Sequence, residues 1–513
     1  MGWGWWFLIV LGAIIVVVAI HDLVQTKHAI LRNFPVIGHF RYWFEAIGPE
    51  LRQYIVTDND EERPFSRDQR RWVYASSKMQ NNYFGFGTDN DLEHSSNYLI
   101  VKQTTFALPD PDNGPDYKLP CAKIWGEARG RKHAFRPDSV IMTSAMSYGS
   151  LSGPAIEAIN RGCQLSHSLQ NTGEGGISPY HDHGGGLVYQ LGTGYFGART
   201  LDGDLDIEML ARKVAKFDVK AIEIKLSQGA KPGRGGILPA AKVTAEIAKI
   251  RGVEEGKAVL SPSSHRAFDS ASSLLDVVEQ IADATGLPVG IKSAVGQLDF
   301  WHDLASLMAT TPRGVDFIQI DGGEGGTGAA PLVFADHVSL PFQVGFARVY
   351  AIFAAAGLAD KVVWIGSGRL GLPQRALIAF GLGCDMIGVA REAMLAVGCI
   401  QAQRCHTGHC PTGVATQGKW LMRGLDPTHK GARMANYLTT LRKELMWLSR
   451  ACGYVHPALV KLEDLEIVDE MFSARSPREI FCYEPGWGEV APAQEDAIIK
   501  TMTSLSPKDA AHG

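Results

Sequence analysis

Between Ser139 and Arg391 eight short apolar runs recur, each ending on Gly, Ser, Lys, Arg or another polar residue: VIMTSAMS, LSHSLQN, LVYQLGTG, AIEIKLS, PVGIKSA, DFIQIDGG, VVWIGSG and DMIGVAR. Helical stretches such as LPAAKVTAEIAKI, SLLDVVEQIADATG and PQRALIAFGLG separate several of them. A strand that is apolar throughout is buried on both faces, which requires a parallel sheet covered by helices. Sustained over about 250 residues, this alternation specifies an α/β fold of the (β/α)8 TIM-barrel type. A doubly wound sheet would place a GxGxxG turn directly after its first strand. The first strand here runs into AMSYGSLSG, which lacks that form.

The flanks differ in character. Residues 1–20, MGWGWWFLIVLGAIIVVVAI, carry no charge, and a bilayer span needs about 20 apolar residues. No basic residue precedes the run and no A-x-A pattern follows it, so a transmembrane helix over 1–22 is expected rather than a cleaved signal. Trp3, Trp5 and Trp6 suit an interfacial anchor, and Lys27, Arg32, Arg41 and Arg52 follow the span. The positive-inside rule then places a single-pass protein with its catalytic body on the cytoplasmic side of the membrane. Eight cysteines in 513 residues form no secreted disulfide framework, which fits a reducing compartment. With 50 Lys+Arg against 54 Asp+Glu, the chain is no nucleic-acid binder of the counterion-release kind.

Residues 23–137 read as a partly helical covering region with an extended lead-in around Leu108–Pro120. The barrel is expected over 138–417, and a C-terminal helical extension over 418–513. In that extension Met434, Leu438, Leu441, Leu445 and Leu448 recur at helical spacing, a core stripe.

Chemistry in such barrels sits at the C-terminal ends of the strands. The second strand is followed by NTGEGG, with Glu174 on a glycine-rich turn, and the fourth by Gln228-Gly-Ala-Lys231-Pro-Gly-Arg-Gly-Gly. The fifth ends at Lys292, which would point a fixed cation into the barrel mouth. Gly325-Gly326-Thr327-Gly328 and Gly366-Ser367-Gly368 present backbone N–H groups free of Cβ obstruction, a phosphate cradle late in the barrel. A cation beside such a cradle suits a flavin, and FMN is the phosphate-bearing ligand expected. After the eighth strand come Cys399, Cys405 and Cys410, spaced C-x5-C-x4-C before Pro411. By spacing alone they serve an iron–sulfur cluster, a zinc ion completed by His406 or His409, or the core.

Taken together, NTGEGG, QGAKPGRGGILP, GGTGAAP and C-x5-C-x4-C followed by PTGVATQ resemble the FMN-binding synthase domain of glutamate synthases. The likeness spans about Ser139 to Gln417, and the N-terminal anchor resembles the stand-alone, membrane-anchored branch of that family. The resemblance implies a barrel carrying FMN and a 3Fe–4S cluster, which reduces 2-iminoglutarate, formed from 2-oxoglutarate and ammonia, to L-glutamate. It implies that Cys399, Cys405 and Cys410 bind the cluster, and that Gln228, Lys231 and Arg251 take the 2-oxoglutarate carboxylates. Glu174 would assist ammonia addition or proton transfer. Met146, Ser147, Gln190 and Lys292 match flavin-contacting positions, with Gly325, Gly326, Thr327, Gly366, Ser367 and Gly368 around the phosphate. Ile237, Arg234 and Glu324 stand where the family usually has Gln, Glu and Asp. No glutaminase domain and no nucleotide-binding GxGxxG is visible, so ammonia is expected from solution or another subunit. Electrons are expected from a partner such as ferredoxin or a flavoprotein subunit. Two alternatives remain: an FMN barrel oxidoreductase acting on another keto or amino acid, or a membrane-tethered flavoprotein relay or scaffold without turnover.

Overall fold

The computed structural model describes residues 2–110, 117–468 and 473–505. Residue 1 of the expected span, residues 111–116 of the expected lead-in and residues 469–472 and 506–513 of the C-terminal extension lie outside the described residues. The chain forms two compact units, Met1–Gln69 and Arg70–Gly513.

In the first unit, helix α1 (Trp3–Val24) is apolar on every side as far as Ile20 and long enough to cross a membrane. A short helix, Ala29–Asn33, and helix α2 (Gly38–Leu51) follow it.

In the second unit all eight expected strands form: β1 (Ile141–Thr143), β2 (Gln170–Asn171), β3 (Leu187–Leu191), β4 (Val219–Lys225), β5 (Val289–Ser293), β6 (Phe317–Asp321), β7 (Val363–Ser367) and β8 (Met386–Val389). They pair in parallel and in sequence order, and β8 closes on β1 through Ile387–Ile141 and Val389–Thr143. Every residue of β3, β5, β6, β7 and β8 is buried, as the unbroken apolar runs demand. The floor is plugged by Trp125 from the covering region, whose ring lies 4.5 Å from that of Phe317 and also meets Phe135. Outside the barrel, α3 (Gly153–Leu165) packs against the long C-terminal helix Pro427–Ala451. The contact is close because Gly162 has no side chain: a Cβ there would lie 2.4 Å from Met434. Met434, Leu438, Leu441 and Leu445 of the expected stripe are fully buried, and Leu448 is half-buried.

One stretch departs from its expectation. LPAAKVTAEIAKI is not one helix but a strand residue pair (Ile237–Leu238), a single turn (Ala240–Lys242) and a short helix, α4 (Ala245–Arg251). Pro239 has no N–H to continue a helix, and Leu238 pairs instead with Val259 in an antiparallel ribbon. The helix starts only where the Thr244 hydroxyl accepts from the Ile247 N–H.

Candidate active site

Register brings the polar strand ends to one level. Lys225 at the end of β4 lies opposite Lys292 on β5, and Gln190 on β3 lies opposite Glu223 on β4. Lys225 and Lys292 are both buried at the barrel mouth. The Lys225 ammonium donates to Glu174 Oε1 at 3.0 Å and to Gln228 Oε1 at 2.6 Å. Lys225 was not among the residues expected at the site, although AIEIKLS ends on a lysine just as PVGIKSA does.

Glu174 is held by what surrounds it. A Cβ at Gly192 or Gly236 would fall 2.3 Å from its carboxylate oxygens, so those two glycines make room for the side chain. Burial alone would raise its pKa, but Lys225, with Arg251 and Lys231 further off, outweighs burial and keeps the carboxyl below its usual range. Arg251, the last residue of α4, is almost wholly buried. It donates to the Tyr148 carbonyl at 2.9 Å and lies over the Phe196 ring, while its Nε has no hydrogen-bond partner. Burial draws its pKa down to about 10, against the opposing pull of Glu174. Lys231 donates to the Ala329 carbonyl at 2.8 Å, which ties the QGAKPGRGG loop to the GGTGAAP loop. Burial and the nearby Lys225 push its pKa down to about 8. Glu174, Gln228, Lys231 and Arg251 thus converge, with Lys225 at their centre.

Below them lies a polar ring inside the barrel. Gln190 and Asn171 both donate to Glu223 Oε1, whose partner oxygen Oε2 is buried and unpartnered. Burial raises the Glu223 pKa. Lys292 sits 3.9 Å from Asp321, which also accepts from Ser367 at 2.7 Å and from the Gly229 N–H at 2.8 Å. Gln319 donates to Ser144 and Ser367, and its carbonyl oxygen is unpartnered. Met146 and Ser147 lie along the loop after β1, pressed by Gly173, whose Cβ would sit 2.6 Å from the Ser147 nitrogen. Gly173 also has φ +66°, in the left-handed region that glycine enters freely.

The two late glycine clusters come together: a Cβ at Gly368 would touch Gly322, and one at Gly326 would lie 2.5 Å from Arg391. Gly325 lies against the Gly322 carbonyl, the Thr327 hydroxyl donates to the Ala329 carbonyl at 3.5 Å, and Gly366 faces Phe342 and Leu370. Arg391 donates to the Glu324 carbonyl. Arg369 is drawn down to about 10 by burial and by the nearby cations Arg375 and Arg391. Arg369, Arg375 and Arg391 thus form a cationic group beside these glycine turns. Glu324, at a departure from the family pattern, accepts from the Phe342 N–H that opens helix Phe342–Ala355.

The three cysteines of the last loop influence one another electrostatically. Burial pushes the Cys399 thiol up to about 12, and burial with Cys410 raises that of Cys405. Burial opposes ionisation of Cys410 too, but the Thr412 hydroxyl and nearby backbone N–H groups bring its pKa below the usual thiol value. Lys242, buried, donates to the carbonyls of Ser150, Cys405 and Ala415. It staples the loop after β1 to the thiol loop. Reading its stretch as one continuous helix concealed it.

A closed barrel with a cation-rich mouth, a glycine-and-arginine cradle and a three-thiol loop has the make-up of a cofactor-dependent oxidoreductase. Residues 125–455 match the family model described as the conserved region in glutamate synthase. The glutamate synthase large subunit-like protein YerD of Bacillus subtilis (strain 168) is 38% identical over 471 residues, covering 85% of this chain and 89% of the relative. The archaeal glutamate synthase (NADPH) of Methanocaldococcus jannaschii is 35% identical over 320 residues, 62% of this chain and 59% of that protein. The archaeal-type glutamate synthase (NADPH) of Thermotoga neapolitana is 34% identical over 309 residues, 60% and 57%. The chain therefore spans less than two thirds of the length of the last two. It belongs to the glutamate synthase family.

Proposed function

We propose that this chain is an FMN-dependent glutamate synthase that converts 2-oxoglutarate and ammonia to L-glutamate through 2-iminoglutarate. The observation that carries this reading is the convergence of Lys225, Lys231 and Arg251, all buried, around the single carboxylate of Glu174. An excess of fixed buried cations is costly unless an anion completes it. A dicarboxylate does so, and Arg suits bidentate pairing with it. The unpartnered Arg251 Nε is a donor in waiting.

The residues fit FMN. The cradle at Gly325, Gly326, Thr327, Gly366, Ser367 and Gly368, backed by Arg369 and Arg391, suits a phosphate. Unpartnered oxygens on Gln319 and Glu223, with Lys292, offer polar partners inside the barrel. When bound, FMN supplies the reducing equivalents. Met146, Ser147 and Gln190 would line it. The thiols of Cys399, Cys405 and Cys410 fit a 3Fe–4S cluster, three sulfur ligands for three irons, which would supply one-electron transfer. Lys231 and Arg251 orient the keto acid, with Gln228 held against Lys225. Glu174, kept ionised, accepts a proton as ammonia condenses with the keto carbon. Electrons come from an external donor, a ferredoxin or a flavoprotein subunit. The apolar helix α1 anchors the chain as a single-pass membrane protein with its catalytic body on the cytoplasmic side, as its flanking Lys27 and Arg32 suggest.

The alternative of a relay without turnover gives the converged cations no ligand. Anaerobic reduction of the loaded full-length protein, then addition of 2-oxoglutarate with ammonia, tests the reading. L-glutamate is expected from the parent and not from Lys231→Ala. No glutamate from the parent overturns it.

A further inference from the structure

Helix α2 differs from α1 in a way that its position explains. Phe40, Trp43, Phe44, Ile47 and Leu51 fall on one side of α2 at 100° per residue, and the π-helical turn Arg52–Val56 that follows adds Tyr54 and Ile55. The five α2 residues cover an arc of about 100°. Arg41 and Glu45 lie beyond one edge of that arc and Glu50 beyond the other, with Pro49 opposite it. On this side Phe40, Trp43, Phe44, Tyr54 and Ile55 are all more than half exposed, while Ile47 is half-buried.

The turn between α1 and α2 is built rather than loose. Asp22, in the last turn of α1, is fully buried. Its carboxylate accepts from the Val36 N–H at 2.9 Å and meets His39 Nε2, in the first turn of α2, at 2.9 Å. Gln25 closes the same corner by donating to the Asp22 and His28 carbonyls, and His28 meets the Tyr42 ring edge-on. One carboxylate thus fixes where α2 starts relative to the end of the apolar helix.

We propose that α2 is an interfacial helix, laid on the same bilayer that α1 crosses, with its Phe40–Phe44–Leu51 side in the lipid. This rests on the anchoring role proposed for α1. The occupant is a lipid surface because the apolar side is continuous in the chain with a lipid-spanning helix. Its edge also carries the aromatic and long basic residues that partition to the headgroup level. Residues 27–52 hold four basic residues against two acidic, which suits an anionic leaflet. The two helices together form a two-part anchor, one part crossing and one lying flat.

The full-length protein carrying the photo-reactive residue p-benzoylphenylalanine at Val16, Phe44 or Glu45 tests this in vesicles of phosphatidylethanolamine and phosphatidylglycerol. Lipid adducts are expected at Val16 and Phe44 in comparable yield, and only background at Glu45. Lipid adducts at Val16 with none at Phe44, or a protein adduct at Phe44, overturn the interfacial helix and leave the span standing. A second copy of the chain captured at Phe44 would be the protein-interface outcome. No lipid adduct at Val16 overturns the span and the interfacial helix together.

Discussion

The two ends of the barrel both bury charge, and they do so to opposite effect. At the N-terminal end Arg131 donates to Glu279 and to Asp316, and Asp316 also accepts from the Val289 N–H that opens β5. Lys123 pairs with Asp385 at 3.1 Å and donates to two carbonyls, while Asp385 accepts from the Trp364 N–H. Each charge there is matched, and Asp316 and Asp385 also tie down the starts of strands, while Glu279 accepts from the Gly314 N–H. At the C-terminal end Lys225, Lys231 and Arg251 converge on one carboxylate. The comparison teaches that burial of charge is not itself the signature of a site. What marks the site is three buried cations gathered on one carboxylate.

The sharpest way to break this contrast is to remove one member of the matched end. Arg131→Met leaves Asp316 buried without its cation, and a loss of about 3–5 kcal/mol is expected in denaturant unfolding. A loss under about 1 kcal/mol would show that the pairing holds nothing together. At the other end Lys231→Met should leave stability unchanged or higher, because it deletes an unneutralised charge. Activity at limiting 2-oxoglutarate should fall by about 100-fold or more, the order expected when an oriented carboxylate contact is lost.

A third test uses pH. The Lys231 pKa, about 8 in the folded chain, lies below the usual lysine value of 10.5. The unfolded chain therefore binds more protons between those two values, so this residue's contribution to stability rises with pH across that window. Ligand binding responds in the opposite sense: the KM for 2-oxoglutarate should climb as pH passes about 8. Lys231→Arg should move that climb to higher pH, and an unmoved profile would assign it to another group. The smallest effect belongs to the surface pair Lys118–Asp138, where Lys118→Ala should cost under about 1 kcal/mol. A larger cost would mean that burial is not what separates strong pairs from weak ones.

Most of the barrel was legible because each strand is an unbroken apolar run that ends on a polar residue, a pattern set by burial on both faces. The site residues on glycine-rich loops stood out for a related reason: glycine clusters are uncommon unless a close approach requires them. What stayed hidden depended on contacts between distant parts of the chain. Arg131 and Asp316 are 185 residues apart, and nothing local in either segment signals the partner. Lys242 was lost to an apparent helical period that Pro239 interrupts. Lys225 was legible in principle, since the reasoning applied to Lys292 covers it, but its role as the common partner of Glu174 and Gln228 follows only from how the loops after β2 and β4 fold over the strand end. Ile237, at a departure from the family pattern, pairs with Leu260 in the ribbon, a contact between segments that local sequence does not signal.

The most direct test of the central claim is equilibrium binding of 2-oxoglutarate to the loaded full-length protein, set against pyruvate and against Lys231→Met. An unneutralised cation group built for a dicarboxylate predicts that 2-oxoglutarate binds at least about tenfold more tightly than pyruvate. It also predicts that Lys231→Met abolishes most of this preference. Equal binding of the two keto acids, or an undiminished preference in the variant, would contradict it.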